Sequence, residues 1–136
     1  MDDVTWTSID ADADERFVSL RRALGVEAFG LNQITLQPGQ RGRIHRHERQ
    51  EEVYLVVHGE VTLLVEQEPL TLSEGSLARV PASVRRQLVN SSAAPCVVVA
   101  IGAAGAHVGR DGEAFADWSE TEGRPPQEVP LPADLA

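Results

Sequence analysis

The chain is predicted to be all-β, a small barrel or two-sheet sandwich, because short β-branched runs dominate its middle and turn residues punctuate them regularly. Leu31 to Leu36 alternates and stops at Pro38-Gly39. Val53 to Val57 ends at Gly59, then Val61 to Val65, Leu70 to Leu72 and Leu77 to Val80 follow, the last before Pro81. Arg85 to Val89 and Val97 to Ile101 complete the set. Strands this short, separated by Gly, Pro, Ser and Asn about every 8–12 residues, are the pattern of a sandwich or a closed barrel.

The run Val53-Tyr54-Leu55-Val56-Val57 is apolar at every position. Such a strand calls for cover on both faces. One face can line the interior, and the other needs a second layer of the chain or a neighbouring subunit, so a homodimer is expected. Residues 1–30 read as an N-terminal extension, 31–101 as the β core, and 102–136 as a C-terminal extension and tail. Within 10–24, Phe17, Leu20 and Leu24 fall at helical spacing with Arg21-Arg22 late, which predicts a short helix. Asp111 is placed to cap another over Glu113 to Trp118. From Glu120 onward acids, prolines and glycine predict an extended or disordered tail.

A chain of 136 residues fits one domain with a real core. Twelve basic against twenty-one acidic residues give a charge of −9, which argues against nucleic acid or an anionic membrane as partner. No run approaches the roughly 18 apolar residues of a membrane span. The start, Met1-Asp2-Asp3, lacks the basic and apolar regions of a signal peptide. The single Cys96 has no internal disulfide partner, so a reducing cytoplasm is the expected compartment. It sits in the run Cys96 to Ile101 and reads as a core thiol.

One constellation carries chemistry. His45 and His47 are two residues apart, so on a strand both imidazoles leave the same face. Glu52 lies five residues beyond His47 and on one unbroken strand would point the other way. The polar Glu48-Arg49-Gln50 suits a turn, after which Glu52 opens the next strand and faces the same interior point. Two imidazoles and a carboxylate that converge suit a divalent transition metal.

These residues resemble the cupin superfamily. Its first motif is a Gly, five residues, His-x-His, three or four residues, Glu, six residues and Gly, met here by Gly39, His45-Arg46-His47, Glu52 and Gly59. Its second runs from a Gly through five residues to Pro-x-Gly, then two residues, His, three residues and Asn; here stand Gly75, Pro81, Ser83, Arg86 and Asn90. The resemblance spans roughly residues 31–101. It implies a double-stranded β-helix, or jelly-roll, barrel with an interior small-molecule pocket. It also implies a metal-dependent dioxygenase, isomerase or decarboxylase acting on a small polar or anionic substrate, with Fe, Zn, Mn or Ni as cofactor.

Ser83 replaces a turn glycine, a modest departure. Arg86 replaces the histidine that would be the fourth ligand, and a guanidinium cannot coordinate a metal. Two readings follow. In one, His45, His47 and Glu52 hold a metal and Arg86 holds a substrate carboxylate at its edge. In the other, Arg86 pairs with Glu52 in a metal-free binding or sensing module. Tyr54 shares the parity of Glu52, which makes it a candidate for substrate contact or a satisfied core tyrosine. Glu51 has the opposite parity to Glu52 and is expected outside, and Gln87, opposite in parity to Arg86, is expected at an exterior or interface position. His58 is expected to be exposed, His107 to pass over the barrel mouth in the Gly-rich 102–112 stretch, and Arg43, Arg46 and Arg49 to form a solvated basic face.

Overall fold

Among residues 3–103 and 111–136, which a computed structural model describes, ten strands form two five-stranded antiparallel sheets. They are β1 (Phe17–Ser19), β2 (Gly30–Leu36), β3 (Ile44–His47), β4 (Glu51–His58), β5 (Glu60–Val65), β6 (Glu68–Ser73), β7 (Leu77–Val80), β8 (Arg86–Val89), β9 (Cys96–Ala103) and β10 (Gly112–Phe115). One sheet runs β1-β2-β9-β4-β7 and the other β10-β3-β8-β5-β6. Apart from the pairs β1–β2 and β5–β6, consecutive strands switch sheets, as in a jelly roll, and the two sheets are not joined into one closed ladder. Each run read from the sequence forms a strand within about a residue or two of its expected bounds. No helix among the described residues is long and apolar enough to cross a membrane.

Period-two alternation decides what lies between the sheets. Ile34 and Leu36 of β2, Tyr54 and Val56 of β4, and Val98 and Ala100 of β9 meet Val61 and Leu63 of β5, Leu72 of β6 and Leu88 of β8 in one buried cluster. Cys96 belongs to it at 0 % exposure, and burial pushes its thiol up to about 11. Two tight connections shape the frame. At Gly59 the backbone has φ +76° and a Cβ would stand 2.6 Å from the Pro95 carbonyl oxygen, so the β4–β5 turn requires glycine. The β5–β6 hairpin turns on Glu66-Gln67, both with positive φ, without Gly or Asn. The Glu66 carboxylate accepts from the backbone N–H and Nε of Arg85, which fixes that turn from outside.

Four expectations need correction. The N-terminal helix is only α1 (Leu20–Leu24), capped by Ser19 and by left-handed Gly25; Phe17 lies in β1, paired with Ile34. The segment after Asp111 is not a helix but β10, whose Ala114 and Gly112 pair with His45 and His47. Both misreadings share a cause: an edge strand of three or four residues is stabilised by a distant partner, and local spacing carries no trace of that. Gln87 does point away from Arg86, yet it is 2 % exposed and its amide donates to the Gly42 carbonyl. Phe115, Trp118 and Leu131 stand around it and cover that face.

The tail is extended apart from a single 3-10 turn, Pro126–Glu128, and it is tied down. Arg43 Nε donates to the Val129 carbonyl, Arg41 donates twice to that of Ala133, and Leu135 N donates to that of Gly39. Of the expected solvated basic face, Arg49 is exposed, but Arg43 and Arg46 are engaged. Arg43 is half-buried against the tail, and Arg46 pairs with Glu113 at 2.8 Å. Glu51 and His58 are exposed as expected, and His107 lies outside the described residues.

Candidate metal centre and its cavity

Register brings the site together. On β3 and β8, His45 and Arg86 are direct cross-strand partners. On the facing sheet Gly102 of β9 stands opposite Glu52, and Ala100 opposite Tyr54 and Asn32. Two small residues beside two large ones leave the interior unfilled there. The result is a cavity of ≈ 230 Å³ whose walls include Phe17, Ile34, Leu88 and Ala100, with His45, His47, Glu52 and Tyr54 at its polar end.

The ligand atoms of His45, His47 and Glu52 all lie within 4.8 Å of one another. His45 Nε2 is 3.3 Å from Glu52 Oε1, and His47 Nε2 is 3.5 Å from Glu52 Oε2. The other nitrogens are spoken for. His45 Nδ1 is 3.2 Å from the Arg43 carbonyl oxygen, and His47 Nδ1 is 2.8 Å from Asp111 Oδ1. A carbonyl and a carboxylate only accept, so both Nδ1 atoms carry hydrogen. Each Nε2 is then a bare lone pair aimed at a carboxylate unless a proton or a cation lies between them. His47 Nε2 is buried without a hydrogen-bond partner. That donor set, with its tautomers fixed from behind, fits a divalent metal.

Charge in the site is tightly shared. Burial alone would raise the Glu52 carboxyl, but hydrogen bonds and charge from His45 and His47 hold it well below the usual carboxylate range. Burial would lower His47, yet Glu52 and the Asp111 hydrogen bond raise it above its ordinary value. Burial and the Glu52 charge push the Tyr54 phenol well above 10.0, so it stays a donor, and its hydroxyl gives a 2.5 Å bond to Glu52 Oε1.

Arg86 is 0 % exposed. Its Nη1 donates to the carbonyls of Ala82 and Val84, and its Nη2 stands 3.3 Å from Glu52 Oε1. It therefore backs the carboxylate and is absent from the cavity wall, whereas Tyr54 does line it. The cation that lines this cavity is Arg43.

Asp111 is the residue that sequence reasoning placed in another role. Its Oδ2 accepts from the backbone N–H groups of Arg49 and Gln50, and its Oδ1 from His47 and the Gln50 amide. Burial raises its carboxyl, but those donors bring it below its ordinary value. It fixes both the His47 ring and the β3–β4 turn. No local signal could have found it, since it lies 64 residues beyond His47.

A family model described as a cupin domain matches residues 32–102. A cupin protein from Bacteroides fragilis is similar, at 21% identity over 79% of this chain and 90% of that one, with TM-score 0.68. A sugar phosphate isomerase from a cupin superfamily, of Silicibacter pomeroyi, gives 24% identity over 88% and 82%, with TM-score 0.65. A predicted oxalate decarboxylase from Thermotoga maritima gives 18% over 65% and 78%, with TM-score 0.58. Identities this low speak to the fold alone. No curated protein matches in sequence. The two sheets, the spaced motifs and a family match over more than half of its length agree: this chain belongs to the cupin domain family.

Proposed function

We propose that the chain is a metal-dependent enzyme that holds a divalent transition metal on His45, His47 and Glu52 and takes a small polar or anionic organic substrate in the adjoining cavity. One observation carries this reading: His45 Nε2 and His47 Nε2 stand 3.3 Å and 3.5 Å from the two oxygens of one carboxylate, with Nδ1 of each ring held from behind. When bound, such an ion supplies Lewis-acid polarisation or dioxygen activation, chemistry that isomerases, decarboxylases and dioxygenases use.

The chain's own residues do the rest. Tyr54 and Arg86 crowd onto Glu52 Oε1 and leave Oε2 the less engaged oxygen. Asp111 holds the His47 ring, and the apolar wall of Phe17, Ile34 and Leu88 excludes water from one side. Elemental analysis of protein purified without a histidine-rich tag tests the reading. About one Fe, Zn, Mn or Ni per chain supports it, and metal well below stoichiometry after supplemented growth counts against it.

A second reading has its own observation. The 3.3 Å contact of Arg86 with Glu52 already neutralises the carboxylate, as a metal-free binding module would require. We also propose a homodimer through the outer face of β4, where Val53 stands beside Ile101 and Leu55 beside Leu77. Leu77 is 66% exposed and Ile101 37%.

A further inference from the structure

On another side of the centre lies a second hollow, also ≈ 230 Å³, lined by Ser19, Arg21, Asn32, His47, Gln50 and Glu52 among others. It shares Asn32, His47 and Glu52 with the apolar cavity, so the two are compartments of one site. Arg21 is the unusual member. Its Nε is buried with no hydrogen-bond partner, and it forms no ion pair among the described residues. Arg16, Arg46, Arg79, Arg85 and Arg86 each meet a carboxylate, and the half-buried Arg41 and Arg43, which meet none, donate to backbone carbonyls instead. In a chain with twenty-one acids against twelve bases, a half-buried guanidinium without an acid is a costly omission.

Among the described residues lining this hollow, no second acid stands ready to pair with Arg21. Glu52 is the single acid among them; its Oε1 faces His45, Tyr54 and Arg86, its Oε2 stands 3.5 Å from His47 Nε2, and neither forms an ion pair with Arg21. The backbone that carries Arg21 is held at both ends of α1: Ser19 accepts from Arg22 N, and Gly25 N donates to the Arg21 carbonyl. A fork of guanidinium donors lining a hollow shared with His47 and Glu52 matches the donor pattern that an oxyanion accepts from.

We infer that the ligand of this site is a small organic anion whose carboxylate or phosphate docks on Arg21, while its body passes Asn32 towards the centre and the apolar cavity. This rests on the small-molecule reading above and names the class of molecule. It assigns the anion to Arg21 rather than to Arg86, which is wholly buried, or to Arg43, whose Nε is taken by the tail.

The test follows the Arg21 Nε–Hε signal in ¹⁵N-labelled full-length protein, identified by its loss in Arg21→Gln. Inorganic phosphate forms one arm, benzoate a second, and neutral benzyl alcohol the control, each with and without Zn²⁺. A saturable shift with phosphate or benzoate, absent with benzyl alcohol, is expected, and the arm that responds tells phosphate from carboxylate. Arg21→Gln should weaken that anion by about tenfold or more, with melting temperature unchanged or raised and Zn²⁺ affinity unchanged or tighter. No shift with either anion, or loss of binding in Arg43→Gln but not in Arg21→Gln, would overturn the inference. If Zn²⁺ fails to bind the wild type, the metal reading falls, and the metal-free arm still decides on Arg21.

Discussion

Arg86 and Glu52, carried by opposite sheets, meet in the interior with Nη2 3.3 Å from Oε1, and neither is more than slightly exposed. The same Oε1 lies 3.3 Å from His45 Nε2 and accepts from Tyr54. Arg86 thus occupies the region where its cross-strand partner His45 points, and it brings a fixed positive charge there. A cation beside a metal site weakens binding unless an anion intervenes.

Arg86→His is therefore expected to tighten Zn²⁺ binding on the order of tenfold or more, about 1.4 kcal/mol. It removes the charge and adds a donor. Arg86→Met, which removes the charge alone, should give a smaller gain. Calorimetric titration of metal-free protein measures both, and unchanged or weaker binding in Arg86→His would mean that position 86 is not a ligand position.

Asp111→Asn tests the support behind His47. The amide can still accept, but it no longer offers two carboxylate oxygens to the four donors that Asp111 gathers. Loss of such a partner behind a metal-binding histidine costs roughly 10–100-fold in metal affinity. Equal Zn²⁺ affinity in the two proteins would remove Asp111 from the centre.

Cys96 sets an alkaline limit. Its thiol titrates at about 11 in the fold against an ordinary 9.0, because it is buried. The unfolded chain loses this proton first as pH rises, so stability is intact below pH 9 and declines towards pH 11, at about 1.4 kcal/mol per unit of difference. Urea melts at pH 8, 9.5 and 10.5 should show a steeper decline for wild type than for Cys96→Ala. Parallel slopes would show that the thiol is not protected.

The dimer has a direct check. Light scattering should give twice the 14.7 kDa chain mass at micromolar concentration, and Leu77→Glu should return the single-chain value. A single-chain mass for the wild type would leave the apolar outer face of β4 uncovered by a second copy.

Much of the core was legible because its strands carry their own pattern. Val61 to Val65 and Val97 to Ile101 are β-branched runs ended by turn residues, and local spacing alone separates them. His45, His47 and Glu52 were legible for a related reason, since alternation and one turn bring them to a common face. What local spacing cannot carry is the second layer. Asp111 reaches His47 through the β3–β10 pairing, Gln87 is buried by chain that follows it by some thirty residues, and Arg21 enters the site from α1. Each depends on contacts between segments far apart in sequence, where neither period nor composition leaves a mark.

The metal centre itself is tested most directly by long-range ¹H–¹⁵N spectra of the histidine rings during a Zn²⁺ titration. Before Zn²⁺ is added, both His45 and His47 should carry hydrogen on Nδ1. One equivalent of Zn²⁺ should then move both Nε2 signals together, and Glu52→Gln should abolish the step. Nε2 signals that stay in place, or a single ring that moves alone, would contradict a centre built on His45, His47 and Glu52.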